Sequence, residues 1–266
     1  MESYIKQGDC LELMKEIPDA SVDMILADPP YSVLHRNNKH VQWDRIIPFE
    51  PLWEQYLRIA KPNAAIVLFC QGMFTAQLMM SQPKLWKYNL IWEKSRATGF
   101  LNANRMPMRS HEDIAVFYRS QPTYNPQWRD GESHSTGNGV HKETNQCYGE
   151  IKRNKVGQLY DYDKSSIKVV PPTGKSFPHS VLHFKKEHGK EVFHPTQKSV
   201  DLLRWLIRTY TNEGEVVLDN TMGSGSTIIA AIREKRKYIG FELNQEYFSK
   251  ASERIHKEES QISLFD

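Results

Sequence analysis

Two clusters of residues in this chain carry chemical potential. The first is Asp28-Pro29-Pro30-Tyr31, directly after the apolar run Val22–Ala27. Prolines cannot donate to a ladder, so a central strand ends there. The turn exposes Asp28 and Tyr31 at a sheet edge, a carboxylate beside an aromatic ring. Taken alone, the tetrapeptide also fits a rigid strand-ending turn with no chemistry. The second cluster is Leu218-Asp219-Asn220-Thr221-Met222-Gly223-Ser224-Gly225-Ser226-Thr227. It follows one apolar run and opens a helical pattern, the context of a cofactor loop. Gly223 and Gly225 let a backbone approach a ligand closely. No Gly-Lys-Ser/Thr follows, so a phosphate loop is disfavoured, and Ile228 stands where a dinucleotide fingerprint would have its third glycine. Glu242 closes the next apolar run, where an acid can hold ribose hydroxyls. Loop and acid together indicate an adenosine-type cofactor; a purely structural pair is the alternative.

The elements around these residues have a clear rhythm. Val22–Ala27, Ala64–Phe69, Tyr88–Trp92, Asp113–Tyr118, Glu215–Leu218 and Tyr238–Phe241 read as strands. Pro51–Ala60, Met73–Met80, Ser226–Lys235 and Gln245–Glu258 read as helices, and Val200, Leu203, Ile207 and Tyr210 share one helix face. Apolar strands alternating with helices predict an α/β fold, a mainly parallel, doubly wound sheet with helices on both faces. Ligands on such a sheet bind at the carboxyl ends of its strands. Residues 120–190 break the rhythm: Gln121–Gly149 is polar, with Gly131, Gly137 and Gly139 and few aliphatics. A long irregular stretch inside a compact domain is read as an inserted module.

Bulk properties narrow the class. The 266 residues suffice for one full core and a smaller module. The longest apolar stretch, Ala64–Cys70, is too short to cross a bilayer, and the start, MESYIKQGDC, has no apolar signal core. A cytoplasmic location, with no membrane association, is therefore expected. Cys10, Cys70 and Cys147 are scattered, an odd and sparse set that suits a reducing compartment better than a disulfide frame. No His, Cys and acid cluster has metal-ligand spacing, so no metal is expected. The net charge is only +3, but residues 119–198 hold 13 Lys and Arg against 8 Asp and Glu, leaving the remainder net acidic. A basic middle can approach phosphates; an ordinary solvated surface would look the same.

Taken in order, these motifs resemble the amino-group DNA methyltransferases, specifically the permuted class in which the catalytic motif precedes the cofactor loop. The resemblance spans nearly the whole chain. Gly8-Asp9-Cys10 is similar to the segment holding the adenine ring of S-adenosylmethionine, and Asp28-Pro29-Pro30-Tyr31 to the catalytic tetrapeptide. His194-Pro195-Thr196-Gln197-Lys198 resembles the segment that touches the methionine end of the cofactor, and Asp219 with Gly223–Thr227 the cofactor loop. The family has Asp-Pro-Phe/Cys where this chain has Asp219-Asn220-Thr221, a departure that weakens the reading of Asn220 only.

The resemblance implies a Rossmann-like methyltransferase domain in two halves, 1–119 (catalytic) and 191–258 (cofactor-binding), around a target-recognition insertion at 120–190, with a tail at 259–266. It implies Asp28, Pro29 and Tyr31 as catalytic residues. Asp28 and the Pro29 carbonyl accept the two hydrogens of an exocyclic amine, and Tyr31 stacks on a base flipped out of duplex DNA. The implied cofactor set is Asp9, Cys10, Asp28, His194, Thr196, Lys198, Asp219, Gly223, Ser224, Gly225, Ser226, Thr227 and Glu242. For His194, a core or capping role is the alternative; His111 is read as structural. DNA contacts are expected from His35, Arg36 and Lys39 after the tetrapeptide, and from Arg119, Arg129, Lys142, Lys152, Arg153 and Lys155 in and before the insertion. The leading Asp28 favours adenine N6 as the target, since the cytosine-N4 enzymes more often begin this tetrapeptide with Ser. A non-catalytic DNA-binding module and a nucleotide-dependent oxidoreductase are the competing classes. Members of this class often pair into dimers. The tail Gln261-Ile262-Ser263-Leu264-Phe265 is similar to the short peptide by which bacterial DNA-processing proteins dock on the replication sliding clamp; a tail packed on its own domain is the alternative.

Overall fold

The computed structural model describes residues 2–32, 44–131, 172–187, 193–194 and 196–262. They divide into two units, one of residues 1–125 with 179–266 and one of residues 126–178.

The first unit holds eight strands: β1 (Tyr4–Gln7), β2 (Val22–Ala27), β3 (Ala60–Cys70), β4 (Trp86–Thr98), β5 (Arg109–Phe117), β8 (Val181–Phe184), β9 (Val216–Asp219) and β10 (Lys237–Glu242). Its helices are α1 (Cys10–Met14), α2 (Phe49–Ile59), α3 (Met73–Ser81), α4 (Val200–Tyr210), α5 (Ser226–Arg233) and α6 (Gln245–Ile262). The strands form one sheet in the order β1-β10-β9-β2-β3-β5-β4-β8. All neighbouring pairs are parallel except the two made by β5, which alone runs against the rest. The sheet is therefore mainly parallel, as the strand–helix alternation predicts.

Side-chain alternation along the strands builds two cores. Met24 and Leu26 of β2, with Val67 and Phe69 of β3, pack with α4, α5 and the buried Ala251 and Ile255 of α6. Ile25 and Ala27, with Ile66 and Leu68, pack on the other face with Met14 of α1, Trp53 and Tyr56 of α2, and Phe74 and Leu78 of α3. Strands buried on both faces explain why these runs are continuously apolar rather than alternating. In α4, Leu203, Ile207 and Tyr210 face the core, while Arg204 and Arg208 on its other side bind Glu234. No described helix is long and apolar enough to cross a membrane.

The ends of the irregular 120–190 stretch belong to the sheet unit. Asn125 N donates to Thr209 O at 2.8 Å, and Val181–Phe184 pairs in parallel with Ile91–Lys94 as β8. Within the second unit, β6 (Arg129–Asp130) and β7 (Lys175–Ser176) form a short antiparallel pair. Trp128 lies 5.1 Å from Phe177, and Lys175 pairs with Asp130.

Candidate active site

The sheet's connectivity brings the two sequence motifs together. β2 and β9 are adjacent in the middle of the sheet; from β2 the chain moves outward through β3, and from β9 it moves the other way through β10. This reversal opens a crevice beyond the carboxyl ends of the two strands. Asp28 follows the last residue of β2, and Asp219 ends β9 and leads into the glycine loop. A cavity of about 1050 Å³ lies there, lined by Asp28–Tyr31, Asp219–Ser224, Asp9, His194, Lys198 and Glu242 among others. Its size exceeds the roughly 300–1,000 Å³ of ordinary small-molecule pockets, leaving room for two ligands.

Around Asp28 the cavity wall is a chain of charges. The Tyr31 hydroxyl donates to Asp28 Oδ1, and Lys198 Nζ donates to Asp28 Oδ2 at 2.5 Å. The same ammonium lies 3.2 Å from Glu112 Oε2, and Glu112 Oε1 lies 3.2 Å from Lys94 Nζ. Asp28 and Glu112 thus alternate with Lys198 and Lys94, and the Lys186 ammonium also acts on Glu112, so each acid has a cation near it, as a partly buried cluster requires. Burial pushes the Asp28 carboxyl above its usual range, and Lys198 opposes that rise. Burial alone would lower Lys198, but Asp28 and Glu112 together raise it. Glu112 is desolvated too, yet the two lysines hold it below the ordinary glutamate value. The Tyr31 ring lies 5.1 Å from Phe74, and the Lys198 ammonium sits over Phe69 and Tyr31 at 5.0 and 5.9 Å from their ring centres.

The glycine-loop side of the cavity is different. Gly223 and Gly225 both take the left-handed backbone region, at φ of 50° and 75°. A Cβ on Gly225 would also meet Ile255 Cδ1 at 3.0 Å, so the turn into α5 needs glycine there. Gly223 N donates to Glu242 Oε2 at 2.9 Å and Asn244 N to Glu242 Oε1 at 2.8 Å, tying the loop to the end of β10. Asp219 is buried with no cation beside it among the described residues; Thr221 N donates to its Oδ1 at 3.1 Å, and Thr227 also bonds it. Burial pushes the Asp219 carboxyl up to about 7. Asp9 caps α1 by accepting from Leu11 N at 2.8 Å, and Gly8 N donates to Glu242 O at 2.9 Å, which brings the start of α1 beside β10. Three acids and no lysine or arginine stand on these segments: the donor set fits a ligand with amine, diol and cationic groups and repels phosphate. Thr221 Oγ1 is buried there without a hydrogen-bond partner among the described residues.

The structure gives several expected site residues a specific task. Lys198 lines the cavity and places its ammonium against Asp28 and Glu112. His194 Nδ1 lies 3.1 Å from Thr196 Oγ1, and its ring meets Tyr247 edge-on at 4.4 Å. Burial lowers His194 to about 4, so the ring is neutral. Cys10 is buried, its thiol pushed up to about 11 by burial. Asn220, the departure from the family pattern, accepts the buried Tyr56 hydroxyl at 2.6 Å, stitching α2 to the loop after β9. His111 is exposed, and its carbonyl accepts from Gln71 Nε2. Arg119 lies beyond the end of β5, at the edge of the sheet opposite Asp28, where its guanidinium binds the carbonyls of Leu57 and Ala60 at 3.0 and 2.8 Å. That position removes it from the candidate DNA contacts at this cavity. Arg129 is exposed in the second unit. His35, Arg36, Lys39, Lys142, Lys152, Arg153 and Lys155 lie outside the described residues, as do Cys147 and residues 263–266 of the tail. Lys94 and Glu112 are contributions that sequence reasoning misses. Among the described residues no group of three His, Cys or acidic side chains can hold a metal ion.

A switch-point cavity with a glycine loop on one side and Asp-Pro-Pro-Tyr on the other defines an amino-group methylase class. Residues 22–253 match the family model described as DNA methylase, covering N6 and N4 enzymes, and the chain belongs to that family. Among relatives, it is 24% identical over 264 residues to the type II methyltransferase M.HpaI of Haemophilus parainfluenzae, covering 97% of this chain and 76% of that protein. It is 25% identical to the type II methyltransferase M1.MboII of Moraxella bovis, covering 93% and 94%. Among solved structures, the M1.HpyAVI–SAM complex aligns with a TM-score of 0.59 at 24% identity, covering 94% of this chain and 98% of that one. The cytosine-N4-specific PvuII DNA methyltransferase aligns at 0.65 and 15% identity, covering 98% and 93%. These likenesses carry the same fold.

Proposed function

We propose that this protein transfers a methyl group from S-adenosylmethionine to the N6 amine of an adenine flipped out of duplex DNA. The observation that carries this reading is the cavity itself, which joins a part-buried carboxylate and an aromatic ring to an acidic glycine loop. Asp9, Cys10, Asp219, Gly223–Thr227 and Glu242 would hold the cofactor, with His194 and Thr196 at its other end. When bound, S-adenosylmethionine supplies a methyl group already activated on a sulfonium.

The chain's own task is then to position the amine and adjust its electrons. An exocyclic amine is a poor nucleophile because its lone pair is delocalised into the ring. Asp28, paired with the Lys198 ammonium, accepts one amine hydrogen, and the Pro29 carbonyl accepts the other. Both bonds favour a pyramidal nitrogen with its lone pair free. The Tyr31 ring stacks on the extruded base, an interaction worth roughly 1–3 kcal/mol. Both acceptors are partly withdrawn from solvent, so they act more strongly than in open solution.

The test incubates purified protein with plasmid DNA and methyl-labelled S-adenosylmethionine, then digests the DNA to nucleosides. Label in N6-methyladenine is expected. Label in N4-methylcytosine would replace the target base, and no label would remove the transferase reading. The reading extends to two partners: a second copy of this chain, and the sliding clamp through Gln261–Phe265. Sedimentation measures the first; calorimetry before and after deleting Gln261–Asp266 measures the second.

A further inference from the structure

The connection between β4 and β5 has a composition and exposure that the proposed reaction does not use. β4 pairs with β5 out to Thr98 and Arg109, both of which line the cavity, so the residues between them project from its rim. All residues from Ser95 to His111 are exposed. The projection nevertheless carries large apolar side chains: Phe100 is 77% exposed, Leu101 97%, Met106 52% and Met108 39%. It is not a loose loop. Gly99 turns the chain at φ 92°, and residues 100–102 form a single tight helical turn. Within it Asn102 N donates to Gly99 O at 2.9 Å, Ala103 N to Phe100 O at 3.0 Å and Arg105 N to Asn102 O at 2.9 Å. Local bonding thus fixes a tip that presents Phe100 and Leu101 outward.

Exposed apolar side chains in such a cluster mark an interaction surface. The charges around them select the partner. No acid occurs between Glu93 and Glu112, while Arg96, Arg105 and Arg109 do. Arg96 and Arg105 form no ion pair among the described residues, and Arg109 leans on Gln71 at 2.6 Å. An all-cationic rim around an apolar point suits phosphates on either side of a stacked, apolar interior. A second copy of this chain would bring the same cations against these.

We propose that the 99–108 tip is a wedge for duplex DNA: Phe100 and Leu101 enter the base stack beside the cavity, and Arg96 and Arg105 hold the flanking phosphates. The inference rests on the base-flipping reading above. Apolar wedges between base steps unstack the duplex, and a wedge placed at this rim lowers the cost of delivering a base into the adjoining cavity.

The test compares methyl incorporation into plasmid DNA by wild-type protein, the F100A/L101A double variant and R105A. Met80→Ser, on α3 outside the cavity and 72% exposed, is the control. F100A/L101A is expected to lose about tenfold or more in kcat/KM, since unstacking costs a few kcal/mol per step. Its S-adenosylmethionine affinity, thermal midpoint and sedimentation coefficient should match wild type. R105A is expected to bind DNA more weakly, with a shallower salt dependence. Wild-type rates in F100A/L101A would overturn the wedge. So would a loss of rate accompanied by a smaller sedimenting species, which would make the tip an interface between copies. Absence of incorporation by the wild-type protein strikes the transferase reading instead; if incorporation is present, only the wedge is at stake.

Discussion

Two carboxylates, Asp28 part-buried and Asp219 buried, stand at the ends of neighbouring strands, and their surroundings are opposite. Asp28, after β2, has the Lys198 ammonium 2.5 Å away and the Tyr31 hydroxyl on its other oxygen. Asp219, at the end of β9, has a backbone amide and a threonine hydroxyl as its hydrogen-bond partners among the described residues, and burial pushes it up to about 7. The difference teaches what each is built to meet. A carboxylate that must accept hydrogens from a neutral amine needs its charge maintained by the protein. A carboxylate facing a cationic ligand can leave that counter-charge to the ligand. The same residue type therefore serves two tasks, divided by where the chain spends its lysines.

The comparison breaks most visibly at Lys198. Lys198→Ala removes the ammonium that Asp28 and Glu112 share, leaving Lys94 on Glu112 and no described lysine on Asp28. Removing one partner of a buried pair costs about 3–5 kcal/mol, so thermal unfolding should report a large loss. Adding Glu112→Gln to Lys198→Met should recover part of it by restoring charge balance. The acid limb of the methylation rate should also move to higher pH in Lys198→Ala, because Asp28 then has burial without its counter-ion.

Asp219→Asn tests the other acid through stability. Its folded pKa is raised, so the folded state holds a proton that the unfolded state has lost between the ordinary aspartate value and about 7. Stability therefore falls as pH rises through that window, and the cost is complete above 7. At about 1.36 kcal/mol per pKa unit, the substitution should stabilise the protein by up to about 4 kcal/mol at pH 8. It should do nothing at pH 3, where the carboxyl is protonated in both states. Melting curves at the two values check this, and weaker cofactor binding by the same variant would place the charge's benefit in the ligand.

Asp28→Ala should leave cofactor affinity nearly unchanged while reducing transfer by roughly 10²–10³-fold, the scale of losing one positioned group at a developing charge. In the unaltered protein the rate should fall on the acid side at a pH above the usual aspartate range, because Asp28's pKa is raised and its neutral, protonated form is a much weaker acceptor for the amine hydrogen. Single-turnover rates across pH measure both. Tyr31 sharpens the contrast at smaller scale. Tyr31→Ala should lose roughly 1–3 kcal/mol of base stacking, whereas Tyr31→Phe removes only the hydroxyl that donates to Asp28 and should be tolerated far better. Equal losses would mean that the hydrogen bond, not the ring, is the contribution.

How much of this is legible in the sequence follows from the range over which each signal acts. The core strands β2, β3 and β9 announce themselves as apolar runs, and the two motifs sit at their ends. Val181–Phe184 does not read as a strand, because β8 is a four-residue edge piece with His183 facing out and one neighbour for support. Lys198 reads as a cofactor residue because its own segment resembles one; its partner is 170 positions away, and no local pattern reports the pairing. Glu112 is obscured by His111 beside it, although the alternation of β5 sends the glutamate inward and the histidine out. Asn220 reads as a departure until Tyr56, on α2, supplies the hydroxyl that its side chain accepts.

The bond between Lys198 and Asp28 also has a consequence in time. On the ribosome, Asp28 emerges long before Lys198, and the glycine loop emerges later still. Until the second half has folded onto the first, the leading carboxylate has no counter-ion and no partner loop. A nascent or truncated chain therefore exposes its Asp-Pro-Pro-Tyr turn in an inert state, and the ability to modify DNA arrives only when synthesis has passed β9 and the sheet can close around it.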